Sequence, residues 1–338
     1  MMRKRIRYAQ SYCVAAAMLA GCGGTQPPIG APGPISQTST VATHSDSGKS
    51  WMLPEAKSEN LLYVSNSSGD VSIYRYQQRN LVGVLTGFML PLGECVDKTG
   101  NVYIVDFRAQ TISEYAHGGT EPIAAIDDSP YRPYGCAVDG RGGNLAIANY
   151  EEDYSGKGNV AVYVHATGSP AYYTATFSHY QSCAYDNEGN LLTTDGFASG
   201  SDFAWLPKNG KKLVNIEVKG GSSEEGGFAG VQSIVWDGKD FVIDTSLGGG
   251  SAIYRISIKN KRGRTVGTTY LGGSAGTLGQ LAIYNGNSQG AQVVGGGGET
   301  SGSLVDYWKY PSGGSPFAQI TNGLDGPFGV AISLKGRQ

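Results

Sequence analysis

The chain has 338 residues, of which 52 are glycine and 21 tyrosine, with only 16% charged and a formal net charge of −2. That length supports one large core or two ordinary ones. The lack of a basic stripe argues against a nucleic-acid partner. Abundant glycine without a collagen period suits many short strands joined by tight turns, and no segment beyond residue 30 sustains helical periodicity. The expected fold is all-β.

Residues 1–21 read as a targeting segment. Arg3, Lys4, Arg5 and Arg7 precede an apolar run over residues 14–20, too short to span a bilayer as a helix. The run ends in Leu19-Ala20-Gly21-Cys22, which resembles a bacterial lipobox. The resemblance implies cleavage before Cys22 and a diacylglyceryl group on its thiol, a stable anchor in the lipid bilayer once multiply acylated. Gly23, rather than Asp, after the cysteine implies the outer membrane where a cell has one, facing the periplasm or the cell surface. Cleavage would remove four basic residues and leave 22 basic against 28 acidic, a net charge of −6. Residues 22–50 are rich in Gly, Pro, Ser and Thr and too poor in apolar side chains to offset their ordering entropy. They are expected to form a flexible tether, and the folded body to span 51–338.

Three signals recur along that body. An apolar strand closing on Asp and a turn appears as GECVDKTGN (93–101), GCAVDGRGGN (135–144), SCAYDNEGN (182–190) and SIVWDGKD (233–240). Weaker copies are QLAIYNGN (280–287) and GVAISLKG (329–336). A second strand is LLYVSN (61–66), VYIVD (102–106), LAIAN (145–149), LLTTD (191–195), FVID (241–244) and, degenerate, QVV (292–294). The third signal is an aromatic in the next strand: Tyr74, Tyr115, Tyr163, Trp205, Tyr254 and Tyr307. A fourth apolar stretch, such as LVGVLTG (81–87), fills the intervals. Six repeats of four strands predict a six-bladed β-propeller with four-stranded antiparallel blades. The body opens at LLYVSN without its preceding Asp-turn strand and ends on PFGVAISL. That C-terminal strand is expected to complete the first blade and close the ring.

The cadence P-x-G-x-A-V-D-x-x-G-N, followed by an apolar strand closing on Asp or Asn, is clearest at 91–106 and 133–149. It resembles NHL-repeat and SMP-30/gluconolactonase-like propellers, over 61–338 as architecture and over blades two to four as a motif. This class hosts enzymes, receptors and interaction modules, so the resemblance implies a fold before a function. For SMP-30-like enzymes it also implies a divalent metal held by a Glu, two Asn and an Asp projecting into the channel. Glu94 matches the Glu. Asn149 and Asp195 would contribute only if they point inward, and the other matching positions are Cys136, Cys183 and Ile234.

In such a blade the loops leading into strand one and those between strands two and three share one face. Here that face is rich in polar and aromatic residues, and loops on a rigid scaffold are where binding usually lies. The lead-in loops carry Tyr131, Arg132, Tyr134, His179, Tyr180 and Phe228. The loops between strands two and three carry Phe107, Arg108, Tyr150, Asp153 and Tyr154, with Asn149 just before them. The insertion YEEDYSGKG (150–158) is longer and more acidic than its counterparts in blades one and two. The opposite face has short turns such as DKTGN. Strand two closes on a polar residue in five blades: Asn66, Asp106, Asn149, Asp195 and Asp244. These side chains either cap the backbone of their own corners or ring the channel mouth for a hard cation such as Ca²⁺.

Nucleophile chemistry finds little support. Gly272-Gly273-Ser274-Ala275-Gly276 matches G-x-S-x-G but lies between strands, without a strand-to-helix elbow. No HExxH, Cys-x-x-Cys or phosphate-cradling loop is present. Cys95, Cys136 and Cys183 fall on strand one of adjacent blades. Such positions are expected to exceed the disulfide limit of about 7 Å between Cα atoms, leaving three buried thiols as apolar filler.

The function expected is therefore that of an envelope lipoprotein with a non-catalytic propeller, binding envelope proteins or glycans through its loop-rich face. Without a cofactor, no chemistry is required of it. A metal-dependent hydrolase or lactonase using Glu94, Asn149 and Asp195 with Ca²⁺ or another divalent ion is the alternative. A structural role in envelope assembly is the third reading.

Overall fold

The computed structural model describes residues 48–152, 156–196, 202–221, 227–228, 230–245, 251–273, 278–286, 290–297 and 303–336. Cys22 with the targeting segment, the tether up to residue 47, Asp153, Tyr154 and Ser274 lie outside the described residues.

The body is a succession of strands. The first group is β1 (Trp51–Met52), β2 (Leu61–Asn66), β3 (Asp70–Arg75) and β4 (Leu81–Thr86). Next come β5 (Pro91–Val96), β6 (Val102–Asp106), β7 (Thr111–Tyr115) and β8 (Pro122–Asp127). Then follow β9 (Tyr131–Val138), β10 (Leu145–Glu152), β11 (Asn159–Tyr163) and β12 (Ala171–Tyr173). The fourth group is β13 (Ser182–Tyr185), β14 (Leu191–Asp195), β15 (Asp202–Leu206) and β16 (Val214–Lys219). The fifth is β17 (Ile234–Trp236), β18 (Phe241–Thr245), β19 (Ser251–Lys259) and β20 (Arg262–Leu271). The last is β21 (Leu278–Tyr284), β22 (Gln292–Gly297), β23 (Leu304–Lys309) and β24 (Ala318–Ile320), after which comes β25 (Pro327–Ser333).

Hydrogen bonding gathers these strands into five sheets. Four are separate: β1-β4-β3-β2-β25, β5-β6-β7-β8, β9-β10-β11-β12 and β21-β22-β23-β24. The fifth has eight strands, β13-β14-β15-β16-β20-β19-β18-β17. It consists of two antiparallel meanders whose outer strands pair in parallel over Glu217↔Arg262, Val218↔Gly263 and Lys219↔Arg264. The chain closes on itself as expected, since β25 pairs antiparallel with β2 from Leu61↔Ser333 to Asn66↔Pro327. A strand the repeat did not predict, β1, pairs with the outer edge of the same sheet through Trp51↔Val84.

The arrangement is propeller-like. The innermost strands form a circuit in which β25 lies on β5, β5 on β9, β9 on β13, β13 on β17, β17 on β21, and β21 on β25. Among the described residues the buried apolar side chains form six clusters, each between consecutive four-stranded groups. Second strands, and third strands such as β11, are therefore covered on both faces. β2, β6 and β11 are buried along their whole length, whereas the outermost β8 is exposed at five of its six residues. Continuous apolar runs mark strands between neighbours, and alternation returns only at the rim, as in β16.

The Asp turns act locally. Asp97 Oδ1 accepts from the backbone N–H groups of Thr99 and Asn101, and Asp186 Oδ1 from those of Glu188 and Asn190. These are side-chain-closed turns.

Near the axis the inner strands touch backbone to backbone. A Cβ on Gly329 would lie 1.9 Å from the Leu92 carbonyl oxygen, and one on Gly135 would lie 2.6 Å from that of Gln181. Only glycine permits this approach. The same convergence corrects the expectation for the cysteines. Cys95 on β5 and Cys136 on β9 have Cα atoms 5.7 Å apart and form a disulfide, while Cys183 is free and buried. Inner strands of adjacent blades approach most closely at the axis, within the range disulfides require.

Candidate functional site

The candidate face is dominated by the third group of strands. β9 and β10 each run eight residues, and past a bulge at Asn149 they still pair through Glu152↔Tyr131. Tyr150, Glu151 and Glu152, the first three residues of the insertion read as a loop, are thus strand. This extended hairpin carries Tyr131, Arg132, Tyr150 and Glu151 past the Asn149↔Pro133 pair, the level at which the pairing of its neighbours ends at Asp106↔Pro91 and Asn66↔Pro327, with Tyr134 just inside it.

Around it the structure assembles an aromatic patch. Phe107, just after β6, meets Tyr134 edge-to-face at 6.1 Å between ring centroids and Tyr150 also at 6.1 Å. Tyr134 lies 5.9 Å from Tyr150 and 5.4 Å, edge-on, from Phe328 of β25. His179, leading into β13, stacks on Tyr150 at 4.5 Å. All five rings are half-buried. The Arg132 guanidinium lies 5.4 Å from the Phe107 ring centroid, a cation–π distance, and its Nε is 3.7 Å from Glu151 Oε1. Burial raises the Tyr150 phenol above its ordinary pKa, with the Glu151 and Asp195 carboxylates adding to the effect. Burial also raises Tyr134, followed by the nearby Tyr150 and Asp244. Both phenols are neutral donors at physiological pH.

Other predicted face residues sit elsewhere. Phe228 is fully buried and packs edge-to-face on Phe203 and Tyr254. Tyr180 is fully buried against Phe177, and its hydroxyl accepts from the Ala175 N–H. Both belong to the core, because the lead-in loops dip between blades before reaching strand one. Tyr131 stands on the outer flank, 5.1 Å from Tyr172. Arg108 is exposed beside the corner capped by Asp106. Phe328 was missed, although Pro327-Phe328-Gly329 repeats the register of Pro133-Tyr134-Gly135.

Most of the polar ends of strand two whose partners are defined serve their own corners. Asp106 accepts from the N–H groups of Met89, Leu90, Arg108 and Ala109. Asn66 Oδ1 accepts from Asp325 N, and its amide donates to Asp70 and Ser72. Asp244 Oδ1 accepts from Gln232 and Ser233, while burial pushes its carboxyl up to about 8. Asn149 is fully buried and donates to Asn159 Oδ1 at 3.0 Å. Beside it Tyr163 donates to the buried Asp128, whose carboxyl burial raises to about 6.

Glu94 is 1% exposed and lines the channel, which neither Asn149 nor Asp195 does. Its Oε1 accepts from Ser65 Oγ at 2.7 Å, and burial raises its carboxyl to about 8. Among the described residues no group of three or more His, Cys, Asp or Glu is placed to hold a metal.

No protein-family description matches the chain, and no curated protein sequence matches it. Its fold does have likenesses. It is similar to a chain of the nidogen/laminin complex, at 12% identity and a TM-score of 0.63 over 81% of this chain and 98% of that one. It is also similar to a functionally unknown protein from Desulfotomaculum acetoxidans, at 13% identity and a TM-score of 0.51 over 79% and 81%. A protein of unknown function from Bacteroides caccae matches at 10% identity and a TM-score of 0.56 over 81% and 99%. At these identities the likeness carries the fold alone, a β-propeller-like all-β architecture.

Proposed function

We propose that the protein is a lipid-anchored envelope lipoprotein whose propeller is a non-catalytic binding module, engaging proteins or glycans through the aromatic patch. The observation that carries this reading is the joining of Phe107, Tyr134, Tyr150, His179 and Phe328 into one half-buried surface drawn from four groups of strands. Half-buried aromatics on a rigid frame present large amphipathic area at little ordering cost. We count six blades, taking the eight-stranded sheet as two, on the strength of the six apolar clusters and the circuit of inner strands. The NHL/SMP-30-like cadence fits that count. The nidogen/laminin neighbour comes from a two-protein complex, which accords with an interaction role.

The test uses the mature protein against immobilised envelope glycans and purified envelope proteins. Tyr150→Ala and His179→Ala are expected to weaken the captured interaction at least tenfold while leaving the melting temperature within a few degrees. Binding that both variants retain would refute the assignment. Cys22→Ser is expected to move the protein from the membrane to the soluble fraction without changing that affinity.

A metal-dependent hydrolase of SMP-30 type is favoured by one observation, the buried Glu94 with an unpartnered Oε2 at the channel. Stoichiometric divalent metal in the purified protein, lost in Glu94→Gln, would decide for it. A structural role in envelope assembly would use the same patch as a permanent contact.

A further inference from the structure

On the short-turn face a cleft opens between the fifth and sixth groups of strands. Its volume is about 390 Å³, and it is lined by Asp237, Lys239, Asp240, Arg255, Val266, Tyr310 and Pro311. Asp237 to Asp240 form the turn between β17 and β18, Arg255 lies on β19 opposite Val242, and Tyr310 follows β23. Arg255 also pairs with Gly267 on β20, where a Cβ would lie 1.9 Å from its Nη2. The guanidinium is thus seated across a glycine, which gives it room. Lys239, Val266 and Pro311 are exposed at the margin of the cleft.

The charges in this cleft are unevenly matched. Asp237 is fully engaged, since its Oδ1 accepts from the N–H groups of Lys239 and Asp240 and its Oδ2 from the Tyr310 hydroxyl at 2.5 Å. Asp240 differs. It is only 7% exposed, yet among the described residues its carboxylate has neither a hydrogen-bond nor an ion-pair partner. Its oxygens are not sealed in the interior as Asp244 Oδ2 is, so the carboxylate opens into the cleft. The Arg255 guanidinium lies 6.0 Å from the Tyr310 ring centroid and hydrogen-bonds the Tyr310 hydroxyl. Among the described residues it meets no carboxylate at ion-pair distance. One anion and one cation therefore line the same cleft with their charges unmatched, and a largely buried charge without a counter-charge is costly. A simple cation entering here would be repelled by Arg255, and a simple anion by Asp240 and Asp237. A ligand carrying both charges satisfies both, and Val266, Pro311 and the Tyr310 ring offer it an apolar wall.

We propose that this cleft binds a small zwitterion, an α-amino acid with an apolar side chain, its carboxylate on Arg255 and its ammonium on Asp240. The site lies on the face opposite the aromatic patch and stands without it.

The probes are L-leucine, leucinol, which lacks the carboxylate, and isocaproate, which lacks the ammonium, each titrated calorimetrically into the mature protein. L-Leucine is expected to bind saturably at one site. Each one-charge analogue is expected to bind roughly tenfold more weakly, the worth of one charge-assisted hydrogen bond. Arg255→Gln should weaken leucine by about the same factor and leave leucinol unchanged, because leucinol brings no carboxylate to that position. Asp240→Asn should likewise weaken leucine and leave isocaproate unchanged or tighter. This crossed pattern separates the loss of a charge from the loss of the fold. The proposal is overturned if the wild-type protein shows no saturable leucine binding, or if either analogue binds as tightly as leucine. It is equally overturned if leucine affinity survives both substitutions. The comparison of the three probes on the wild-type protein holds even if neither variant folds.

Discussion

Removing the Cys95–Cys136 disulfide tests the convergence of the inner strands most directly. The bond closes a loop with a sequence separation of 41 residues. In the chain-entropy description a loop of that length restrains the unfolded state by about 4 kcal/mol at 25 °C. That is a large part of the 5–15 kcal/mol typical of a folded domain. The Cys95→Ala/Cys136→Ala protein is therefore expected to unfold at lower urea concentration, with a melting temperature lower by roughly 10 °C. Alanine fits because both positions face apolar neighbours on the wall between the second and third groups of strands. The companion measurement is thiol titration of a Cys13→Ser/Cys22→Ser variant, denatured without reductant. One reactive thiol, Cys183, is expected. Three thiols, or a stability unchanged by the double substitution, would refute the placement of β5 beside β9.

Three further predictions concern the axis and its closure. Burial raises the Glu94 carboxyl from 4.5 to about 8 and that of Asp244 from 3.8 to about 8. Each then binds its proton more tightly folded than unfolded, so the stability it contributes is full below pH 4 and is lost as the pH rises to about 8, by on the order of 5 kcal/mol per group. Glu94→Gln should accordingly raise the urea midpoint at pH 8.5 relative to the wild-type protein and change it little at pH 4.5; equal shifts at both values would contradict the buried acid. Truncation after Gly326 removes β25 with its buried Val330 and Ala331, strips β2 of its partner and uncovers the apolar side chains of Leu62, Tyr63 and Val64 that pack with them, so cooperative melting by circular dichroism should disappear. Gly329→Ala places a methyl group against the Leu92 carbonyl oxygen and should cost about 1–3 kcal/mol in denaturant titrations, as overpacking does.

Much of the architecture was legible in the order of residues. Each apolar strand that runs into an Asp turn, at Asp97, Asp139, Asp186 and Asp237, is an inner strand, and each of the six recurring aromatics lies on a third strand, as Tyr115 on β7 and Tyr254 on β19 show. The missing first strand correctly pointed to β25. These features are local, because turn chemistry at Asp97 or Asp186 and runs of apolar residues act within one repeat. The candidate site was only half legible. Tyr134, Tyr150, Phe107 and His179 were named from their loops, but Phe328 reaches them only because the last strand returns to the first sheet. Phe228 and Tyr180 look the same as Tyr150 in sequence, and burial depth, which neighbouring blades impose, separates them.

The sequence by itself thus determined the all-β repeat, its turns, its closing strand and the face carrying aromatic loops, since periodicity and turn chemistry are written residue by residue. Tertiary structure alone decided which Cys residues meet, which aromatics share a surface, and that Glu94 ends beside Ser65 and Gln280 as a buried acid. Those outcomes depend on how closely six inner strands crowd around one axis, a distance that no single repeat encodes.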